Sequence, residues 1–238
     1  MIEQALQDVN SRIQQACLTN HRRVDALTLL AVSKTFGPEA VREALTGGQK
    51  RFGENYVQEA IDKINALADV REQIEWHLIG PLQSNKTRVV AEHFDWVQSV
   101  DRLKTAQRLN EQRPAALAPL KVLIQVNTSG EASKSGIEPA DVLALAKGIA
   151  ALPRLTLRGL MALPAPTPDE AAQLAAHHAL KALFEQLIAQ GFALDPLSMG
   201  MSADLEAAIA EGATMVRVGT AIFGGRAKAA TAPAVPAA

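Results

Sequence analysis

Short apolar runs recur along this chain every 20 to 40 residues or so, and apolar residues spaced by three and four fill the intervals. That alternation of a period near 2 with a period near 3.6 is the strongest constraint on what the chain can become. Leu27-Thr28-Leu29-Leu30-Ala31-Val32-Ser33-Lys34 is apolar on both faces, as a strand lying between a core and a covering helix must be. Further strands are read at 51–55, 75–80, 94–100, 120–127, 155–163, up to Met199, and at 215–223. Between them the pattern predicts helices, among them Pro38 to Leu45, stopped by Gly47-Gly48, and a long one over 168–190. Asp101 is placed to cap the helix after the fourth strand, and residues 1 to about 23 read as an amphipathic helix ahead of the first. Eight strands alternating with helices, with no second β-rich block, predict an α/β fold that is a single (β/α)8 TIM barrel with an extra N-terminal helix. A doubly wound open sheet would more often carry Gly-x-Gly-x-x-Gly after the first strand, where this chain has Ser33-Lys34-Thr35.

Composition narrows the function classes. With 238 residues and a formal net charge of −1, the chain has no basic stripe for nucleic acid and no charged tail. No apolar run approaches membrane-spanning length, and the N-terminus lacks a signal-peptide core, so a cytoplasmic protein is expected. The single cysteine, Cys17, suits a reducing compartment; its apolar neighbours at helical spacing, Ile13, Ala16 and Val24, mark it as buried filler. A barrel domain is expected over residues 1–226. Residues 227–238, almost all Ala, Pro, Thr and Val, are expected to be a disordered tail.

Barrel proteins bind and react at the C-terminal ends of their strands. Two late stretches stand out there: Leu197-Ser198-Met199-Gly200-Met201-Ser202-Ala203-Asp204, and Met215-Val216-Arg217-Val218-Gly219-Thr220. If they close strands seven and eight, Ser202, Gly219 and Thr220 offer amides and hydroxyls to a phosphate. The same residues are equally a plain glycine-rich turn. Lys34 shares strand parity with Thr28, Leu30 and Val32, so an inward face would lift its amine from the barrel interior, partly desolvated and able to attack an aldehyde. Taken alone, it is also an ordinary solvated strand-end lysine. A reactive lysine, a phosphate cradle and an arginine on the adjacent strand together match what pyridoxal 5′-phosphate asks of a pocket. His77 is expected to be packed and hydrogen-bonded, and His177-His178 to be no metal pair, since adjacent helical residues face different ways. Lys134 is read as a solvated loop cation that could reach the pocket rim, and Ser84-Asn85-Lys86 as a helix start.

These residues carry a resemblance. Ala31-Val32-Ser33-Lys34-Thr35, Phe52-Gly53-Glu54-Asn55-Tyr56 and Trp76-His77-Leu78-Ile79-Gly80-Pro81-Leu82-Gln83-Ser84-Asn85-Lys86 all match the pyridoxal phosphate homeostasis (YggS/PROSC-type) family. So do Ser133-Lys134-Ser135-Gly136, Gly159-Leu160-Met161 and the two late stretches, in order, from about Leu29 to Arg226. The resemblance implies a barrel like the N-terminal domain of alanine racemase. It implies pyridoxal phosphate held as a Schiff base on Lys34, its phosphate on Ser202, Gly219 and Thr220, with Asn55 also in the site and Arg217 at the ring nitrogen. No catalytic residue and no metal ligand is expected. A cation opposite that nitrogen disfavours its protonation and weakens the ring as an electron sink.

The expected function is therefore intracellular pyridoxal phosphate homeostasis by a monomer, without substrate turnover, with pyridoxal-phosphate-dependent apoenzymes as possible recipients. A minimal amino-acid racemase is the alternative, weakened because nothing after Phe223 could supply the second domain that brings a tyrosine base. A Schiff-base aldolase is weakened because Met161 occupies the strand-six position where such barrels resemble one another in placing lysine.

Overall fold

The computed structural model describes residues 1–129, 135–164, 167 and 169–225. Lys134 and the 227–238 tail, both subjects of expectations above, lie outside the described residues. In chain order the elements are α1 (Ile2–Thr19), β1 (Thr28–Val32), α2 (Pro38–Thr46), β2 (Arg51–Glu54), α3 (Val57–Ala66) and β3 (Glu75–Leu78). There follow α4 (Thr87–His93), β4 (Trp96–Val100), α5 (Leu103–Gln112), β5 (Leu120–Gln125), α6 (Val142–Ala150) and β6 (Leu155–Met161). The chain then runs through α7 (Glu170–Ala189), β7 (Leu197–Ser198), α8 (Leu205–Ala210), β8 (Met215–Val218) and α9 (Thr220–Phe223).

Each strand pairs in parallel with the next, and β1 pairs with β8 as well as β2, which closes the eight-stranded barrel. Parallel neighbours need a long crossover, and the intervening helices supply it. The strands therefore bury two faces. Outward side chains such as Phe52, Trp76, Leu78, Val97 and Ile124 join helix residues such as Ile64, Val90, Leu109 and Ile149 in the main hydrophobic layer. Inward ones form two smaller groups, Leu30 with Val32, Ile79 and Met215, and Trp96 with Leu123 and Met161. Burial of each such aliphatic side chain contributes roughly 1.5–3 kcal/mol. The (β/α)8 barrel read from the alternation is the fold.

The extra N-terminal helix, α1, lays Leu6, Val9, Ile13, Ala16 and Cys17 against the main layer and packs on α2, α8 and α9. Cys17 is fully buried, and burial pushes its thiol pKa up while Arg22 opposes the shift. Among the described residues, no helix is long and apolar enough to cross a membrane.

Several boundaries differ from the sequence reading. The first helix stops at Thr19 rather than about residue 23, because Asn20 Nδ2 takes the Ala16 carbonyl and His21 turns left-handed at φ 53°. Val24 consequently lies outside the α1 stripe, in an exposed turn. Phe94 closes α4 by donating its N–H to Val90, so β4 begins two residues later. Asp101 does not cap α5; Arg102 occupies the N-cap position, and its Nε donates to Asp101 Oδ1 at 3.0 Å. The eighth strand ends at Val218, and Thr220–Phe223 form a helical turn whose Ile222 and Phe223 amides return to Gly219 O. A short apolar run does not distinguish strand from helix by periodicity, and here Gly219 ends the strand.

Candidate functional site

A cavity of about 560 Å³ opens at the C-terminal ends of the strands. Lys34, Asn55, Ser202, Arg217, Gly219 and Thr220, six residues spread over 187 positions of sequence, all line it. The sequence reading missed Gln125, Phe36 and Leu163, which line the same cavity. Gln125 carried a signal, an amide following the apolar Val122-Leu123-Ile124 near the end of its strand. Asn127 carried the same signal, yet it turns to Glu138 and Ser129 after the chain leaves β5.

Lys34 stands two residues beyond β1, in register with inward-facing Leu30 and Val32. Asn55 follows β2 directly, and Gly80 is the reason it sits so close to the β3 end. A Cβ on Gly80 would lie 2.1 Å from the Asn55 carbonyl oxygen, so only glycine admits this approach. Asn55 lines the cavity, while its Oδ1 is buried with no hydrogen-bond partner among the described residues.

Ser202 is held by a loop that the chain builds with care for its backbone. Gly200 adopts φ 89°, and its carbonyl accepts the Arg217 N–H at 3.0 Å. Asp204 Oδ1 accepts the Met201 N–H at 2.6 Å, while Oδ2 meets His177 Nε2 at 3.0 Å. Burial works to raise the Asp204 pKa, but the bonds from His177 and the Met201 N–H outweigh it and hold the carboxyl below its ordinary value. His178, by contrast, points to Glu211, so the adjacent histidines part company. Arg12 of α1 donates to the Ser202 carbonyl at 3.3 Å and pairs with Glu206 at 2.8 Å, tying the N-terminal helix to this loop. On the neighbouring strand's loop, Gly219 caps α9 and Thr220 begins it, and the first amides of that helix have no partner within it.

Arg217 projects inward from β8, 2% exposed, with Nη1 donating to Ser198 Oγ at 2.6 Å and Nη2 to the Ala162 carbonyl at 2.7 Å. Burial lowers its pKa to about 10, with the charge of Asp204 opposing, so the guanidinium is a cation at neutral pH. Behind it a chain of hydrogen bonds crosses the barrel interior. Ser198 Oγ meets Gln98 Oε1 at 2.7 Å, Gln98 Nε2 meets His77 Nδ1 at 3.0 Å, and His77 Nε2 meets Glu75 Oε1 at 3.1 Å.

The two ends dictate every proton between them. Arginine only donates, so the Ser198 hydroxyl hydrogen must go to Gln98. An ionised Glu75 only accepts, so His77 carries its proton on Nε2 and accepts on Nδ1. Burial pushes the His77 pKa down, against the pull of Glu75, which favours the neutral ring this chain requires. Although burial works to raise the Glu75 pKa, His77 and Lys121 hold that carboxyl far below the usual range. His77 is thus packed and bonded as the sequence suggested, stacked on Trp96 at 5.1 Å. Tyr56 is 53% exposed and does not line the cavity.

Comparison with known proteins places this architecture among relatives. The model of the alanine racemase N-terminal domain matches residues 11–227. The pyridoxal phosphate homeostasis protein of Vibrio cholerae is 56% identical over 227 residues, 94% of this chain and 96% of that one. The protein of the same name from Escherichia coli is 53% identical over 222 residues, covering 93% and 95%. The solved structure of PipY from Synechococcus elongatus with PLP bound is 37% identical, with a TM-score of 0.83 over 94% of this chain and 100% of that one.

Proposed function

Since the chain belongs to the family of pyridoxal phosphate homeostasis proteins, built on the alanine racemase N-terminal domain, we propose that its cavity holds pyridoxal 5′-phosphate and that the protein serves the homeostasis of that cofactor. The observation that carries this reading is the convergence of Lys34, Asn55, Ser202, Arg217, Gly219 and Thr220 on one cavity of a size that suits a small ligand. When bound, pyridoxal phosphate supplies an aldehyde that a lysine amine can capture covalently, and a ring able to accept electrons.

In this reading Lys34 is the capturing amine. Ser202, Thr220 and the amides at Gly219 bind the phosphate, and Asn55 lines the cavity as a polar contact for the ring. Arg217 is the residue facing the ring nitrogen. It is buried, held by two neutral oxygens and cationic, so it opposes protonation there and keeps the ring a poor electron sink. That supports storage and delivery without turnover. The exposed position of Tyr56 leaves no observation in favour of a minimal racemase. The same proposal includes a one-domain barrel over residues 1–226, a cytoplasmic monomer, and apoenzymes that need the cofactor as recipients.

Adding pyridoxal phosphate to the purified protein should produce a visible absorption band, and borohydride should then fix the added mass on Lys34. Lys34→Ala should lose both the band and the fixed mass while keeping the wild-type circular dichroism, since a strand-end truncation opens no deep cavity. A band fixed on another residue would overturn the assignment. So would α-proton exchange of any amino acid in deuterated water at enzyme-like rates, for the non-catalytic reading.

A further inference from the structure

Behind Lys34, on the side away from the cavity, lies a buried polar cluster that none of the roles above uses. Ser33, Glu54 and Lys63 are buried, and Glu59 is partly exposed; none of these four lines the cavity. Lys63, from α3, spends its three N–H bonds on the Ser33 carbonyl at 2.7 Å, Glu54 Oε1 at 2.8 Å and Glu59 Oε1 at 2.6 Å. Glu54 Oε1 also accepts the Ser33 hydroxyl at 2.6 Å, and Glu59 Oε1 accepts the Thr35 N–H at 2.6 Å.

The geometry of the backbone gives this cluster its meaning. The Ser33 carbonyl belongs to the peptide group before Lys34, and the Thr35 N–H to the peptide group after it. Fixing both planes fixes φ and ψ of Lys34, and with them the direction of its Cα–Cβ bond. Thr35 sits at φ 69°, a left-handed conformation that is strained for a β-branched residue and persists only where its surroundings hold it. The Phe36 N–H closes the turn on the Ser33 carbonyl at 3.1 Å, and Glu59 holds the Thr35 N–H inside it. A buried lysine with two carboxylates is a costly way to gain stability, because apolar side chains of similar volume often serve as well. It is a good way to hold two peptide planes in one arrangement.

We infer that Lys63, with Glu54 and Glu59, is a positioning residue for Lys34, directing its amine into the cavity before any cofactor arrives. This rests on Lys34 being the capturing lysine. Capture joins the Lys34 nitrogen to the aldehyde carbon, expels one water and releases the ammonium proton to solvent. Lys63 touches none of these atoms and acts through the backbone of residues 33–35.

Two probes separate positioning from simple folding: pyridoxal 5′-phosphate, which lysine can capture, and pyridoxamine 5′-phosphate, which carries an amine in place of the aldehyde and cannot be captured. In Lys63→Met paired with Glu54→Gln, which leaves no unpaired buried charge of that couple, the visible band should grow at least tenfold more slowly. A loss on the order of tenfold to a hundredfold is expected when a reacting atom shifts by about an ångström. The dissociation constant for pyridoxamine phosphate should stay within about twofold of wild type. Glu59→Gln, a change at a partly exposed site that leaves the fold safe if the double variant does not form, should slow capture in the same sense.

In the cofactor-free protein, amide exchange at Thr35 and Phe36 should quicken in the variants. Capture at the wild-type rate would overturn the inference. So would a parallel loss of affinity for both probes, the mark of a merely structural pair. A wild-type protein that shows no band at all would instead sink the reading of Lys34 on which the inference stands.

Discussion

At the scale of single residues, the buried chain from Arg217 through Ser198, Gln98 and His77 to Glu75 makes the sharpest demands. Ser198→Ala would leave a buried arginine N–H and the Gln98 carbonyl without partners. The expected cost is about 1–3 kcal/mol, read as a lower urea midpoint with an unchanged slope. The same chain requires a neutral His77, and burial lowers its folded pKa below the value near 6.5 of an unfolded histidine. Between those two values the unfolded chain binds more protons than the native one, so stability falls as pH drops below about 6.5 and is flat above it. Unfolding midpoints measured from pH 8 to pH 5 should show that decline in the wild type. His77→Gln should flatten it. That Lys34, Ser202, Arg217, Gly219 and Thr220 meet at one end of the barrel was legible in the sequence, because strand parity and Gly/Ser chemistry are local. Ser198, Gln98 and His77 were not legible as a chain, since 121 positions separate the first from the last and only barrel closure stacks them.

At the scale of elements, the loop between β7 and α8 carries Met201, Ser202 and Ala203 to the cavity. Gly200 combines φ 89° with a tight approach: an added Cβ would lie 2.4 Å from the Cβ of Ala208. Both the strain and the clash oppose any side chain, and they act together. Gly200→Ala should destabilise the protein by about 1–3 kcal/mol and weaken binding of pyridoxamine 5′-phosphate by displacing Ser202, checked by thermal melts and titration. Affinity equal to wild type would show that the loop does not set the phosphate site. Element types were legible from periodicity, whereas the ends at Thr19, Phe94 and Val218 were not. They depend on which backbone group finds a hydrogen-bond partner, as when Phe94 returns its N–H to Val90.

At the scale of the whole molecule, α1 is the one α-helix that precedes the first strand, yet it belongs to the same hydrophobic layer as the rest. Removing residues 1–19 would uncover faces of α2, α8 and α9, and would free the Ser202 carbonyl from Arg12. Five buried α1 side chains, including Leu6, Val9 and Ile13, go with them. At roughly 1.5–3 kcal/mol for each large aliphatic, that loss rivals the net stability of an ordinary domain, about 5–15 kcal/mol. The truncated chain should therefore fail to fold cooperatively, judged by the loss of a sigmoidal denaturation curve. A cooperative transition near the wild-type midpoint would show that the barrel stands without it.

By itself the sequence determined the barrel, because eight short strand-like runs alternating with amphipathic helices can bury their apolar faces in few other ways. It pointed to the cavity too, because strand ends lie on one face of such a barrel and the residues that line it are read off those ends. Tertiary structure alone decided what stands behind the site. Lys63 reaches the carbonyl of Ser33 across 30 positions, and Gln98 meets Ser198 across 100. Such partners share no local pattern. Their pairing is set by which helix packs over which strand, and by which side chains face inward once the eighth strand meets the first.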